Sequence, residues 1–176
     1  MTVTDSGFGA YDVRGVYPDQ VNEQLAYRIG RSFPTLFHAE TVAVGHDIRL
    51  SGPALRDALV KGLTEAGCNV VDIGQCGTEM IYFTTAHLGL DGGIMITASH
   101  NPKQYNGMKF VRAESRPISS DTGLKDIAAM AVGGTYPAPA RSAGHVEKKD
   151  ILDEYVKHIL SYVDVSKLKP YKIVVN

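Results

Sequence analysis

Apolar positions along the chain recur with two alternating periods. Between residues 22 and 37, Leu25, Ile29, Phe33 and Phe37 return every four residues, the stripe of a helix buried on one face. Asn22 stands at its start as a cap, whose side-chain oxygen can accept a free backbone N–H. Pro34 predicts a kink or an early end, because proline removes an interior donor. Thr41–Val44 reads as a short strand, followed by the loop Gly45-His46-Asp47-Ile48-Arg49-Leu50. A second helix starts near Ser51, with Pro53 admissible in its first turn. Leu55, Leu59, Leu63 and Ala66 form its apolar face, and Gly67 is its natural stop. Val70, Val71 and Ile73 make the next strand, and Gly74 and Gly77 loosen the loop behind it. Thr78 is placed to cap a third helix reaching about Leu88, with Gly89 ending it. Gly93–Thr97 is a continuous apolar and β-branched run, as an inner strand of a parallel sheet requires. Met108–Val111 is a fourth short strand whose direction the pattern leaves open.

This alternation predicts an α/β fold, a three-layer α/β/α sandwich around a mainly parallel mixed sheet. Right-handed crossovers are expected between its parallel strands. The strand ends would then gather the loops at Asp47/Arg49, Cys76/Thr78 and Ser99/His100 on one side. Residues 131–142, AVGGTYPAPARS, are rich in Gly, Pro and Ala and read as a surface connection. A last helix fits Lys149–Tyr162, with Ile151, Leu152, Tyr155, Ile159 and Val163 as its inner face. Lys172–Val175 reads as a strand that has only begun. The expectation is therefore a fragment of a larger protein, with one domain over residues 1–165 and a linker plus the first strand of a second domain over 166–176.

Composition narrows the function classes. A chain of 176 residues with 44% hydrophobic content can bury one good core. Charged residues are 21% and the net charge is -1, which predicts neither a nucleic-acid surface nor a polybasic membrane patch. No apolar run approaches membrane-spanning length, and no basic segment precedes an apolar one at the start, so a cytoplasmic location is expected. Cys68 and Cys76 match no CxxC or zinc spacing and read as buried or half-buried thiols in a reducing compartment.

Candidate chemistry concentrates where the third strand runs into Ser99-His100-Asn101-Pro102. Asn-Pro forces a turn there. A hydroxyl, an imidazole and an amide are thus held at the carboxyl end of a strand, where open α/β sheets place their sites. Ser99 is a candidate nucleophile only if something activates it. His100 and Lys109 are available, and turn N–H groups could hold an anion. The same residues also read as a polar turn capping itself. No GxSxG elbow is present. Arg14, in AYDVRG, reads either as a salt bridge to Asp12 or as a phosphate-binding fork. Arg49, in GHDIRLSG, has the same two readings and lies just ahead of a helix start, a favourable place for an anion. With Lys109, the two arginines point to a dianionic ligand. His38, His46 and His87 show no metal-ligand spacing. No glycine-rich nucleotide loop occurs. The aspartates do not cluster in sequence, so a Mg²⁺ ion would need further ligands.

Taken together, TASHNPKQYNGMKF resembles the active-site serine loop of the α-D-phosphohexomutases, the phosphomannomutase and phosphoglucomutase family. AYDVRG resembles that family's N-terminal motif, GHDIRLSG its second loop, and DGGIMITASHNP the strand and loop together. These matches fall in family order across residues 9–111, and LKPYKIVVN looks like the start of domain 2. The resemblance implies a phosphoserine enzyme interconverting hexose 1-phosphate and hexose 6-phosphate, of mannose and/or glucose. Glucose or mannose 1,6-bisphosphate would be intermediate and activator, and Mg²⁺ would bind one oxygen of the phosphate on Ser99. It implies catalytic roles for Ser99, His100, Lys109 and Arg14. Arg49, Asn101, Tyr11 and Asp12 would bind phosphate or support the loop. It places the metal-binding aspartates, the sugar loop and the distal phosphate clamp in three further domains, outside these residues. The partners expected are those domains and a phosphosugar, and the fragment alone is expected to be largely inactive. Two alternatives stay open: a non-catalytic phosphate-binding or interaction module, and a phosphoglucosamine mutase.

Overall fold

The four-residue stripe at 22–37 becomes helix α1, Glu23–Phe37, in the structure, a computed structural model that describes residues 3–175. Asn22 caps it, its side-chain oxygen accepting from the Leu25 N–H at 3.0 Å. The early end expected at Pro34 does not occur. The helix passes through Pro34 and stops at His38, which turns left-handed at φ 52°. Pro34 sits in the last turn, and its missing N–H forgoes one bond, to the Gly30 carbonyl, without ending the helix.

The strands are β1 (Val13–Val16), β2 (Thr41–His46), β3 (Asn69–Gln75), β4 (Gly92–Ile96), β5 (Tyr105–Arg112), β6 (Arg116–Pro117) and β7 (Val146–Lys148). Helices α2 (Gly52–Glu65), α3 (Thr78–His87), α4 (Lys125–Gly133) and α5 (Leu152–Leu160) complete the regular elements with α1. One mixed sheet runs β1-β5-β4-β2-β3-β7, with β6 beside β5. Strands β4, β2, β3 and β7 are mutually parallel, whereas β5 pairs antiparallel with both β4 and β1. The strand read as Met108–Val111 is thus longer than its apolar segment, and it runs backwards from β4.

Two apolar layers sandwich the sheet. On one face Ile29 and Phe33 of α1, Leu55 and Leu59 of α2 and Ile127 of α4 pack on Val42 and Ile94. On the other, Ile81 of α3 meets Ala43, Val71 and Met95. Helices α1 and α2 approach backbone to backbone at Gly30 and Gly62. A methyl group on Gly30 would strike the Leu59 carbonyl oxygen, and one on Gly62 that of Tyr27.

Several sequence expectations require correction. Thr78 does not cap α3; Gly77 occupies that position in extended conformation, without a side-chain bond. Helix α4 lies across the start of the stretch read as loop. Its buried positions are only Ile127 and Ala131, too few to stand out as a stripe. Beyond it the chain is irregular, as expected, and is pinned by buried Arg31, which donates to the Pro137 carbonyl at 2.5 Å and lies over the Tyr136 ring. Helix α5 is shorter than Lys149–Tyr162. Of its expected inner face only Ile151 is buried, while Leu152, Ile159 and Val163 are about half exposed. Tyr155 makes an edge contact with Phe83 of α3. The strand expected at Lys172–Val175 does not form among the described residues, because those residues pair with nothing. No helix of the described residues is long and apolar enough to cross a membrane.

Candidate active site

The sheet changes direction between β2 and β4. From β2 the chain crosses through α2 to β3, on one side; from β4 it turns to β5, on the other. Loops leaving two adjacent parallel strands in opposite senses open a crevice at their carboxyl ends. The loop after β2 carries Asp47 and Arg49, and the loop after β4 carries Ser99, His100 and Asn101. Cys76, after β3, reaches the same edge through its N–H bond to the His46 carbonyl at 2.9 Å.

Ser99 is exposed, and its backbone is left-handed at φ 52°, a conformation that costs a non-glycine residue of order 1 kcal/mol. The surrounding bonds hold it there. The Ser99 N–H donates to Thr97 Oγ1 at 2.8 Å, and the Thr97 hydroxyl donates to Asp47 Oδ2 at 2.7 Å. Asp47 in turn accepts from the Arg49 N–H at 3.0 Å and from Arg49 Nε at 3.2 Å. The Arg49 guanidinium then clips the loop. Nη1 donates to the carbonyls of Pro102 (2.8 Å) and Tyr105 (3.0 Å), and Nη2 to those of Ser99 (2.9 Å) and Asn101 (2.7 Å). Asn101 closes the turn by donating to the Ala98 carbonyl from both its N–H and its Nδ2. A cleft of about 640 Å³ opens beside this loop, lined by Ser99, Asn101, Arg49, Tyr17, Lys103 and Gln104 among others.

Arg14 and Lys109 lie outside the lining of that cleft and form a neighbouring cluster. Of the two readings of Arg14, the structure shows the salt bridge: Arg14 Nη2 lies 2.6 Å and Lys109 Nζ 2.8 Å from the same Asp12 Oδ2. One carboxylate thus holds two cations together and leaves a net positive charge. The register relates them to the serine. Arg14 stands opposite Gly107, and the Thr97 N–H donates to the Gly107 carbonyl, so the three residues share one rung of the sheet. Lys109 is the next same-side position on β5. Gly107 has no room for a side chain, because a Cβ would meet the Val13 carbonyl oxygen. Across the sheet, Arg14 therefore lies two strand spacings, roughly 10 Å, and Lys109 one spacing, roughly 5 Å, from β4, the strand that leads to Ser99. His100 is exposed and makes no side-chain hydrogen bond among the described residues. Tyr11 is 76% exposed and likewise makes no side-chain hydrogen bond among the described residues.

Thr97, Gly107 and the bridging role of Asp47 went unrecognised in the sequence. Asp47 and Arg49 share one loop, but their link to Thr97 crosses fifty residues and is set by strand order, which local pattern does not contain. Cys68 is buried and Cys76 half-buried, as their reading expected. Burial, aided by the Glu79 and Asp72 carboxylates, pushes Cys76 up to about 12, and burial with Asp91 pushes Cys68 to about 12. Neither is a thiolate at neutral pH. Among the described residues no three His, Cys, Asp or Glu side chains come together as a metal cage. Asp47 is already committed to Arg49 and Thr97. These residues alone do not fit a Mg²⁺ site, which asks for octahedral oxygen ligation.

The domain is an α/β/α sandwich that presents a clipped, left-handed serine at the switch point of its sheet. The family model described as "Phosphoglucomutase/phosphomannomutase, alpha/beta/alpha domain I" matches residues 5–134, and the chain belongs to that family. It is 49% identical over 170 residues to a phosphomannomutase of Salmonella montevideo, covering 96% of this chain and 37% of that protein. It is 51% identical over 174 residues to a protein named phosphohexose mutases from Xanthomonas campestris, covering 99% and 39%. A phosphoglucomutase/phosphomannomutase family protein of Burkholderia thailandensis superposes with a TM-score of 0.84 at 32% identity, over 94% of this chain and 38% of that one. The chain thus spans 37% to 39% of the length of these curated relatives.

Proposed function

We propose that this chain is the serine-bearing domain of a hexose-phosphate mutase and acts as part of a longer protein. The observation that carries the reading is Ser99, exposed on a left-handed turn and clipped by Arg49 at the carboxyl edge of the sheet. In this reading Ser99 Oγ carries a phosphoryl group. A free hydroxyl of a hexose monophosphate attacks that phosphorus, the P–Oγ bond breaks, and the hydroxyl proton ends on Ser99 Oγ. The product is a hexose 1,6-bisphosphate. Ser99 Oγ then attacks the other phosphoryl group, its proton passing to the sugar oxygen released. Hexose 1-phosphate and hexose 6-phosphate are thereby exchanged, and the serine regains its phosphoryl group.

Such a transfer asks for in-line placement and neutralised phosphoryl oxygens rather than further covalent chemistry. The rigid loop serves the first need, and the Arg14–Asp12–Lys109 cluster on the adjoining strands serves the second. His100, exposed beside Ser99, is the group we assign to proton transfer. Mg²⁺ enters this reading only with ligands supplied by the rest of the protein. The names of the relatives favour mannose phosphates among the substrates.

The test is mutase turnover of mannose 1-phosphate and glucose 1-phosphate with glucose 1,6-bisphosphate as activator, comparing this chain with the full-length protein. Turnover by the full-length protein, its loss in Ser99→Ala, and little turnover by the chain alone are expected. Full activity in Ser99→Ala would overturn the role of the serine. Comparable activity in the isolated chain would overturn the division of labour.

A further inference from the structure

We infer that Thr97 is a positioning residue for the phosphoryl-carrying serine, a role that rests on the mutase reading above. The geometry allows its hydroxyl a single arrangement. An ionised Asp47 can only accept, so the Thr97 proton points to Asp47 Oδ2 at 2.7 Å. That leaves a lone pair of Thr97 Oγ1 for the Ser99 N–H at 2.8 Å. Thr97 is 4% exposed, so water does not readily take the place of either partner. The far end of the relay is anchored as well, because the Arg49 that holds Asp47 also holds the Ser99 carbonyl.

Ser99 is therefore gripped on both sides of its α-carbon, by Thr97 at its N–H and by Arg49 at its carbonyl. Both grips pass through Asp47. That double hold accounts for a serine resting at φ 52°, where glycine would ordinarily stand. It also means that the Ser99 N–H is engaged within the protein and unavailable to the phosphoryl group. Neutralisation of that group falls to other groups, the side-chain cations among them. Without the hydroxyl of Thr97, the serine is free to relax toward ordinary backbone angles and to carry its Oγ off the line of attack. A displacement of about 1 Å in such a step costs on the order of 100-fold in rate.

The experiment compares Thr97→Val, which keeps the shape and loses the hydroxyl, with Thr97→Ser, which keeps the hydroxyl. In this chain, the exchange rate of the Ser99 amide is read by NMR together with the melting temperature. In the full-length protein, kcat and KM are measured with glucose 1,6-bisphosphate present. The expected result is Ser99 amide exchange at least about 10-fold faster in Thr97→Val, with melting within about 5 °C of the parent. In the full-length protein, kcat is expected to fall about 100-fold with KM within a factor of about two. Thr97→Ser should restore both readouts. Unchanged exchange and unchanged kcat in Thr97→Val would overturn the inference. So would a loss of kcat that Thr97→Ser fails to restore. Ser99→Ala in the full-length protein separates the two levels. Turnover in that variant defeats the mutase reading, whereas an inactive Ser99→Ala beside a fully active Thr97→Val defeats only the role of Thr97.

Discussion

A single guanidinium holds the serine loop shut. Arg49 reaches four carbonyl oxygens of residues 99–105 and one carboxylate, an arrangement that needs a planar fork. Lysine keeps the charge but cannot satisfy oxygens lying in several directions. Arg49→Lys in the full-length protein is therefore expected to lower kcat on the order of 100-fold. Arg49→Ala should regain part of that loss on addition of guanidinium ion at millimolar concentration, in a steady-state assay; the absence of any rescue would argue against the clip. The same scale governs the thiols. Because burial raises Cys68 and Cys76 to about 12, a thiol-specific reagent at pH 8 should label the native chain far more slowly than the denatured one. The linkage has a definite sign. The unfolded chain releases these protons near pH 9 and the folded chain holds them, so their contribution to stability is complete below pH 9 and declines as pH rises toward 12. A denaturation series from pH 8 to pH 11 should show a decline that is shallower in Cys68→Ala.

Among the elements, the closest approach is that of α1 to α2 at Gly30 and Gly62. Gly62→Ala removes a flexible residue from a helix, which in an exposed position would stabilise it. Here the added methyl meets the Tyr27 carbonyl oxygen, and the helices must move apart. A net loss of roughly 1–3 kcal/mol is expected by chemical denaturation; a gain in stability would contradict the packing. What could be read of these elements from the sequence follows from the same packing. The helix at 23–37 carries a four-residue apolar stripe because it buries one face fully, so its period is plain. The same holds for α2. Helix α4 escaped notice because it buries only two of its nine residues, Ile127 and Ala131. Strand β1 hid behind its charged motif, since Asp12 and Arg14 read as a turn although Val13 is fully buried. In the site, Ser99, Asn101, Arg49 and Lys109 stood out by residue type and local context. Thr97 did not, because a threonine at a strand end looks like ordinary β-sheet until the neighbouring strand is known. Tyr11 entered through resemblance alone, and the structure leaves it exposed.

At the scale of the whole molecule, the amphipathic pattern of residues 151–163 promised a buried helix face, yet the structure buries only Ile151. The two ends of that pattern should therefore respond differently. Ile151→Ala opens a hole in the layer beneath α3 and is expected to cost about 2–5 kcal/mol in the isolated chain. Ile159→Asp, on the exposed stripe, should change stability by less than about 0.5 kcal/mol. Equal effects, measured by thermal and urea denaturation, would contradict the placement of α5. The sheet itself explains why the site lies where it does. Parallel β2 and β4 deliver Asp47 and Ser99 to one edge, while β5 runs away from that edge with Lys109 opposite Met95, and β1 sets Arg14 opposite Gly107. A chain spanning a little over a third of its relatives' length therefore holds a preassembled serine loop and a cationic flank.

The most direct measurement is to locate the phosphoryl group. The full-length protein is incubated with glucose 1,6-bisphosphate, quenched in acid and digested, and the peptide containing residues 94–110 is sequenced by mass spectrometry. The label is expected on Ser99 alone, discharged by added mannose 1-phosphate and absent in Ser99→Ala. A phosphoryl group that survives in Ser99→Ala, or that sits on Ser99 and never passes to the sugar, would contradict the assignment.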